Sequence, residues 1–152
     1  MSELFWEDLV VGLASQSPGR TVTETDLVNF AGLSGDYNAI HMDKVYAADF
    51  GLGGEQLVHG LLGLSIMSGL FTRSDMGRGM QRQLVAMLAL EWRFALPLRV
   101  NDTVHVRARV TDVRATSSAE RGIVDIEREL VNQRDDVVQT GTTRMMIRKR
   151  GD

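Results

Sequence analysis

The segment Leu57–Phe71 reads LVHGLLGLSIMSGLF and contains no acid, lysine or arginine. Wound as a helix, it is apolar on every side, which is the pattern of a buried helix and not of a surface one. It falls short of the roughly 20 apolar residues that a bilayer-spanning helix needs. Gly60, Gly63 and Gly69 lie within it, and each interior glycine costs about 1 kcal/mol relative to alanine. Three of them in one helix imply that something approaches its backbone closely, either a wrapping sheet or a ligand.

The sequence after this helix supplies the sheet. From about Leu84 the apolar period changes from that of a helix to 2. LVAMLALEWRF, Leu84–Phe94, reads as a strand. In TVHVRARVTDV, Val104, Val106, Ala108 and Val110 alternate with His105, Arg107, Arg109 and Thr111, the signature of a half-buried strand. Gly122–Asn132 places Val124, Ile126 and Leu130 on one face, with Arg128 as the exception. NQRDD is a turn, and Val137–Lys149 forms a last strand. Long strands joined by short turns imply an antiparallel sheet.

The sequence before the helix reads differently. Thr23 followed by Asp26 is a capping arrangement ahead of Leu27, Val28, Phe30 and Leu33, which share one helical face. Gly35 stops that helix. A short helix follows His41 through Val45, Ala48 and Phe50, before a flexible GLGGE. The whole is one α+β domain, residues 1–152, in which a late sheet covers one long apolar helix.

The composition excludes several classes. The chain has 152 residues, 43% hydrophobic and 24% charged, with a net charge of -3, which suits an ordinary globular domain with no broad basic field for nucleic acid or anionic lipid. It has no cysteine, so disulfides, thiolate metal sites and a cysteine nucleophile are out. The opening MSELFWEDLVVG has early acids and no basic start, so it does not read as a secretion signal. The expected location is the cytoplasm, with no membrane and no nucleic-acid partner. Fifteen arginines against two lysines hint at a GC-rich bacterial genome.

One polar stretch stands out: SGDYNAIHMD, Ser34–Asp43. Taken alone, Asp36 is an aspartate bonding its own backbone in a turn, or a proton-moving carboxylate. His41 is a helix-start histidine, or a base whose ordinary pKa of about 6.5 lies near working pH. Gly60 opens the buried helix, where the first N–H groups have no internal partner and the end carries partial positive charge. That N–H is a candidate donor to a developing oxyanion. His59 reads as a buried histidine satisfied by its surroundings, or as an acid or ligand. No His-x-x-x-His or equivalent spacing joins Asp36, His41, Asp43 and His59, so no metal is expected. GRGMQRQ, Gly77–Gln83, lacks a phosphate-loop lysine and reads as a loop, with Arg78 and Arg82 on a solvated face. His105 is expected to face solvent. Glu91 to Phe94, EWRF, reads as a surface strand with a salt bridge at Arg93, or as pocket lining where Arg93 meets an acidic acyl end.

Three stretches together resemble one family. FAGLSGDYNAIHMD is similar to the hydratase signature of the MaoC-like proteins, the R-specific enoyl-CoA hydratases, LVHGLLGLSIMSGL to their central helix, and FALPLRVNDTVHVRARV to their strand pair. The resemblance runs from about Val22 to Arg148 in family order. It implies a hot-dog fold, a long helix wrapped by a curved antiparallel sheet, assembled as a homodimer or a dimer-based higher oligomer through sheet edges. It further implies an acyl-CoA thioester substrate, with no cofactor beyond the CoA of the substrate itself. Ala39 stands where the family has proline, and Asn101 where it commonly has glycine.

The resemblance also assigns roles. Hydration of an enoyl thioester needs a base for water, an acid for C2, and a donor for the charge on the thioester oxygen. Asp36 and His41 share the first two around one water, Asn38 holds the loop or the water, and the Gly60 N–H takes the charge. Ser65 supports the pair by hydrogen bonding, or simply bonds the preceding helical turn. Two other functions remain compatible with these residues: a thioesterase on the same fold, and a non-catalytic acyl-CoA-binding subunit.

Overall fold

The alternation after Leu84 is a sheet in the structure, a computed structural model that describes residues 2–49 and 56–151. Six strands run β1 (Ala14–Gln16), β2 (Arg20–Thr21), β3 (Leu84–Phe94), β4 (Thr103–Ala115), β5 (Arg121–Val131) and β6 (Val137–Arg148). They order as β1-β4-β5-β6-β3, with β2 also on β4, and every pairing is antiparallel. The helices are α1 (Glu24–Ser34), α2 (Ala39–Met42), α3 (Lys44–Asp49), α4 (Gly60–Phe71) and α5 (Asp75–Met80).

Local chemistry sets the boundaries. The Thr23 side chain accepts the Asp26 N–H and the Asp26 carboxylate accepts the Thr23 N–H, so the capping box read from sequence is made. Gly35 ends α1 in the left-handed region at φ 75°, where a side chain would be strained. Asn101 takes the same region at φ 74° in the turn before β4, a position asparagine tolerates.

The core lies between α4 and one face of the sheet. Val104, Val106, Ala108 and Val110 of β4 are all buried, as are Val124, Ile126 and Leu130 of β5, and they meet Leu62, Ile66, Met67 and Leu70 of α4. Fully burying each large aliphatic side chain contributes roughly 1.5–3 kcal/mol, so this layer outweighs the cost of the helix glycines.

Three expectations need correction. The apolar helix is not buried on every side: Leu61 is 59% exposed, and Ser65, Ser68 and Gly69 face out with it. A sheet covers one side of a helix, and the opposite side stays open within the single chain. His41 itself lies in the short helix α2, and the helix expected after it is α3, while Phe50 and GLGGE lie outside the described residues. Gly77–Gln83 is not simply a loop, because Ser74 accepts the Gly77 N–H at 3.1 Å and caps α5. His105 is half-buried, and burial followed by the nearby Arg107 charge lowers its pKa. Arg78 pairs with Asp75, Arg82 with Glu3 and Arg93 with Glu91, all as exposed ion pairs.

Strand β3 closes one edge of the sheet. One side pairs with β6, and among the described residues nothing pairs with the other. Met87, Leu88 and Leu90 on it are 57%, 45% and 41% exposed. An apolar strand edge of this length is a template for another strand.

Candidate functional site

The turn after α1 builds the site through short-range bonds. Ser34 Oγ accepts the Asp36 N–H, Asp36 Oδ1 accepts the Asn38 N–H, and Asn38 Oδ1 accepts the Ile40 N–H, each at 3.2 Å. One oxygen of Asp36 therefore shapes the turn, and Asn38 caps α2. Ala39 takes the first helical position, where a proline would also fit because that N–H has no helical partner.

Helix α2 is then fastened to the segment leading into α4. The Gln56 side chain donates to the His41 carbonyl at 2.8 Å, and the Leu57 N–H donates to the Ile40 carbonyl at 3.3 Å. His41 Nδ1 lies 2.7 Å from the Leu57 carbonyl. A carbonyl only accepts, so Nδ1 carries the proton and Nε2 keeps its lone pair. That tautomer leaves His41 with a free basic nitrogen.

His59 is the second imidazole. It is 2% exposed, and its Nε2 donates to the Asp36 carbonyl at 2.9 Å. Its ring stacks on that of His41 with centroids 3.9 Å apart and planes 28° apart, and Phe30 covers it at 5.1 Å. His59 Nδ1 meets no partner among the described residues. His59 thus holds the Asp36 turn and backs His41.

Asp36, His41 and His59 offer side-chain atoms that all lie within 4.8 Å of one another. Sequence spacing did not join them, since they lie on separate elements. The two stacked rings, however, hold their in-plane lone pairs in nearly parallel sheets, so a cation lying in one ring plane would lie out of the other. The arrangement suits proton movement better than metal ligation.

Gly60 follows His59 as the first residue of α4. Its N–H meets no acceptor among the described residues. A side chain at Gly60 would put its Cβ 2.9 Å from the Phe94 ring, so only a glycine leaves room for that ring. His41, Gly60, Gln139 and Phe94 line one cavity of about 340 Å³, closed by the apolar run Ala95 to Leu98. His41, Gly60 and an apolar wall therefore border a common space. Asp36 is exposed, and its carboxylate lies within 4.8 Å of the His41 ring nitrogen.

Ser65 lies elsewhere. Its hydroxyl donates to the Leu61 carbonyl at 2.8 Å, the bond to the preceding turn, and its side chain lines a separate groove with Arg20 and Arg73. It makes no bond to Asp36 or His41. A larger hollow of about 590 Å³ lies over the sheet among Arg107, Arg109, Glu127 and Glu129. It contains no imidazole and is lined by cross-strand charge pairs, so the smaller cavity is the one with chemistry. Sequence reading passed over Gln139, which was legible only as a position on a strand, while Phe94 of the EWRF stretch does line this cavity.

The chain compares closely with known proteins. Residues 13–131 match the model of the MaoC like domain. Over 104 residues it is 39% identical to "Protein MaoC" of Klebsiella aerogenes, covering 68% of this chain and 29% of that protein. It is 29% identical over 110 residues to a 3-hydroxybutyryl-CoA dehydratase of Methylorubrum extorquens, covering 72% of this chain and 66% of that one. The chain thus spans less than two thirds of the length of either relative. In three dimensions it matches a MaoC-like dehydratase of Rhodospirillum rubrum with a TM-score of 0.87 at 28% identity, covering 98% of this chain and 99% of the other. The sheet laid over α4 is the hot-dog fold. A domain match over most of the chain establishes that this protein belongs to the MaoC-like domain family.

Proposed function

We propose that the protein is a hydro-lyase that reversibly adds water to a trans-2-enoyl-CoA in the syn sense, giving an (R)-3-hydroxyacyl-CoA. The carrying observation is that His41, with its free Nε2, and Gly60, with its free N–H, line one cavity beside Asp36. Water held by Asp36 and His41 loses a proton to this pair as its oxygen bonds to C3. The electron pair of the C2–C3 double bond moves toward the thioester, and the Gly60 N–H receives the charge on its oxygen. The pair then returns a proton to C2, and no atom is left over. Asn38 keeps the turn in shape, and Ala95 to Leu98 form the apolar wall for the acyl chain. Ser65 takes no part in the proton steps on this reading.

The same reading includes a homodimer formed through the free edge of β3. The exposed Met87, Leu88 and Leu90 support it, since pairing two such edges removes unpaired backbone groups and apolar surface from water together.

Asp36→Asn and His41→Ala are each expected to lower kcat for enoyl-CoA hydration by roughly 10²–10⁴-fold, with unfolding transitions close to wild type. Consumption of the enoyl absorbance and the configuration of the product are the measurements. Release of free thiol without loss of the enoyl signal would instead identify a thioesterase. Turnover near wild type in both variants would overturn the assignment of the pair.

A further inference from the structure

Gln139 of β6 lies 79 residues from Gly60 in sequence, and its side chain touches the start of α4. It is 2% exposed. Its Nε2 donates to the Gly60 carbonyl at 3.0 Å, and its Oε1 accepts the Trp92 indole N–H, also at 3.0 Å. An indole N–H can only donate. Trp92 therefore dictates which end of the amide faces it, and the NH₂ end is left to face Gly60. The glycine at Gly63 completes the seat: a Cβ there would overlap the Gln139 amide.

We propose that Gln139, oriented by Trp92, is a positioning residue for the oxyanion-binding N–H of Gly60. The inference rests on the proposed hydration reaction and adds to it the residues that hold its charge-stabilising group. Gly60 lacks a side chain to restrict its backbone, yet its N–H must point at one place. Phe94 presses on its Cα from one side, and Gln139 grips its carbonyl from the sheet. Gln139 holds the Gly60–Leu61 peptide, and the Gly63 N–H, donating to the His59 carbonyl at 3.2 Å, holds the His59–Gly60 peptide that carries the N–H, so rotation about Gly60 is limited on both sides. A displacement of about 1 Å in such a site is enough to cost roughly 100-fold in rate.

The test compares wild type with Gln139→Glu, Gln139→Met and Trp92→Phe. Two quantities are read: kcat and KM for a short trans-2-enoyl-CoA, and the infrared thioester carbonyl band of a bound saturated acyl-CoA, which reports hydrogen bonding to its oxygen without turnover. Both Gln139 variants are expected to lose about 10–100-fold in kcat, with KM changed little and the carbonyl band moved back toward that of the free ligand. Trp92→Phe is expected to lose less, because the amide survives but can turn over. The Gln139→Glu deficit is expected to shrink on acidification, since a protonated carboxyl can donate to the Gly60 carbonyl, while the Gln139→Met deficit stays constant relative to wild type. Gln139 variants with wild-type kcat and carbonyl band overturn the proposal. So does a kcat loss that acidification leaves equal in the Glu and Met variants. A wild type that shifts the carbonyl band without hydrating any enoyl-CoA, and loses the shift in Gln139→Met, removes the reaction but keeps the positioning role. A wild type with neither turnover nor shift removes both.

Discussion

Gln139 and Arg128 are polar side chains on the same inner face of the sheet, on neighbouring strands, and both are buried. Gln139 has a partner at each end of its amide. Arg128 has no carboxylate among the described residues: its guanidinium lies 3.6 Å over the Phe71 ring, one nitrogen reaches Met145 Sδ at 3.2 Å, and Nε has no partner. Burial alone pushes its pKa down to about 9. The same face thus tolerates a neutral amide at low cost because its hydrogen bonds are replaced, and a cation at higher cost because its water is not. Where the polar group is satisfied, it reaches the candidate site. Where it is not, it sits against the far end of α4.

Four substitutions break or sharpen this contrast, from the largest effect to the smallest. Gly63→Val places a side chain in the seat of Gln139 and is expected to cost about 3 kcal/mol by overpacking, read as a lower urea midpoint. Gln139→Leu keeps the volume but leaves the Trp92 N–H and the outer lone pair of the Gly60 carbonyl unanswered, for a loss of about 2 kcal/mol. If Gln139→Leu were neutral, the satisfied member of the comparison would not be satisfied by these bonds.

Arg128→Met should act in the opposite direction, because no acid is orphaned when the cation goes. A gain of roughly 1–2 kcal/mol is expected at neutral pH, in line with other buried ions replaced by apolar groups. The pH sign follows from the lowered value. The folded protein disfavours the charged form, so the penalty is full below about pH 9. It is relieved as the pH rises above that toward the ordinary arginine range of the unfolded chain. The advantage of Arg128→Met over wild type should therefore narrow between pH 8 and 10.5, as measured by paired denaturation curves. A loss of stability instead would show that the Phe71 and Met145 contacts outweigh desolvation.

Asp125 points to the opposite face and supplies the charged counterpart of Gln139. Hydrogen bonds from Arg144 at 2.9 Å hold its carboxyl below the usual carboxylate range, against the upward push of burial, and Arg114 adds to them at 3.0 Å. Its contribution is present above the unfolded pKa of about 3.9 and is lost as the pH falls through the lower folded value. Asp125→Asn should cost about 1 kcal/mol at pH 7, since both arginines are half-exposed and screened. It should also flatten the acid limb of the stability curve.

Much of this was readable from residues alone. The alternation of Val104, Val106, Ala108 and Val110 matched four buried positions, and Thr23, Asp26 and Gly35 marked the ends of α1. These features are local: a period of 2 or a cap depends on neighbours a few residues away. The turn residues Asp36 and Asn38 were legible for the same reason, as their bonds span two residues. Arg128 was visible as an exception to its strand, but nothing near it in sequence indicated what would cover it.

The amino-acid sequence by itself determined one apolar helix with glycines that demand close contact, a late antiparallel sheet, and a carboxylate and an imidazole five residues apart. Only the tertiary structure decided that Phe94 and Gln139 are what Gly60 and Gly63 accommodate while Gly69 faces open space, that His59 stacks on His41, and that one side of α4 stays open. Those contacts join residues 18 to 79 positions apart. Chain folding, and not local propensity, sets which of many compatible side chains arrives there.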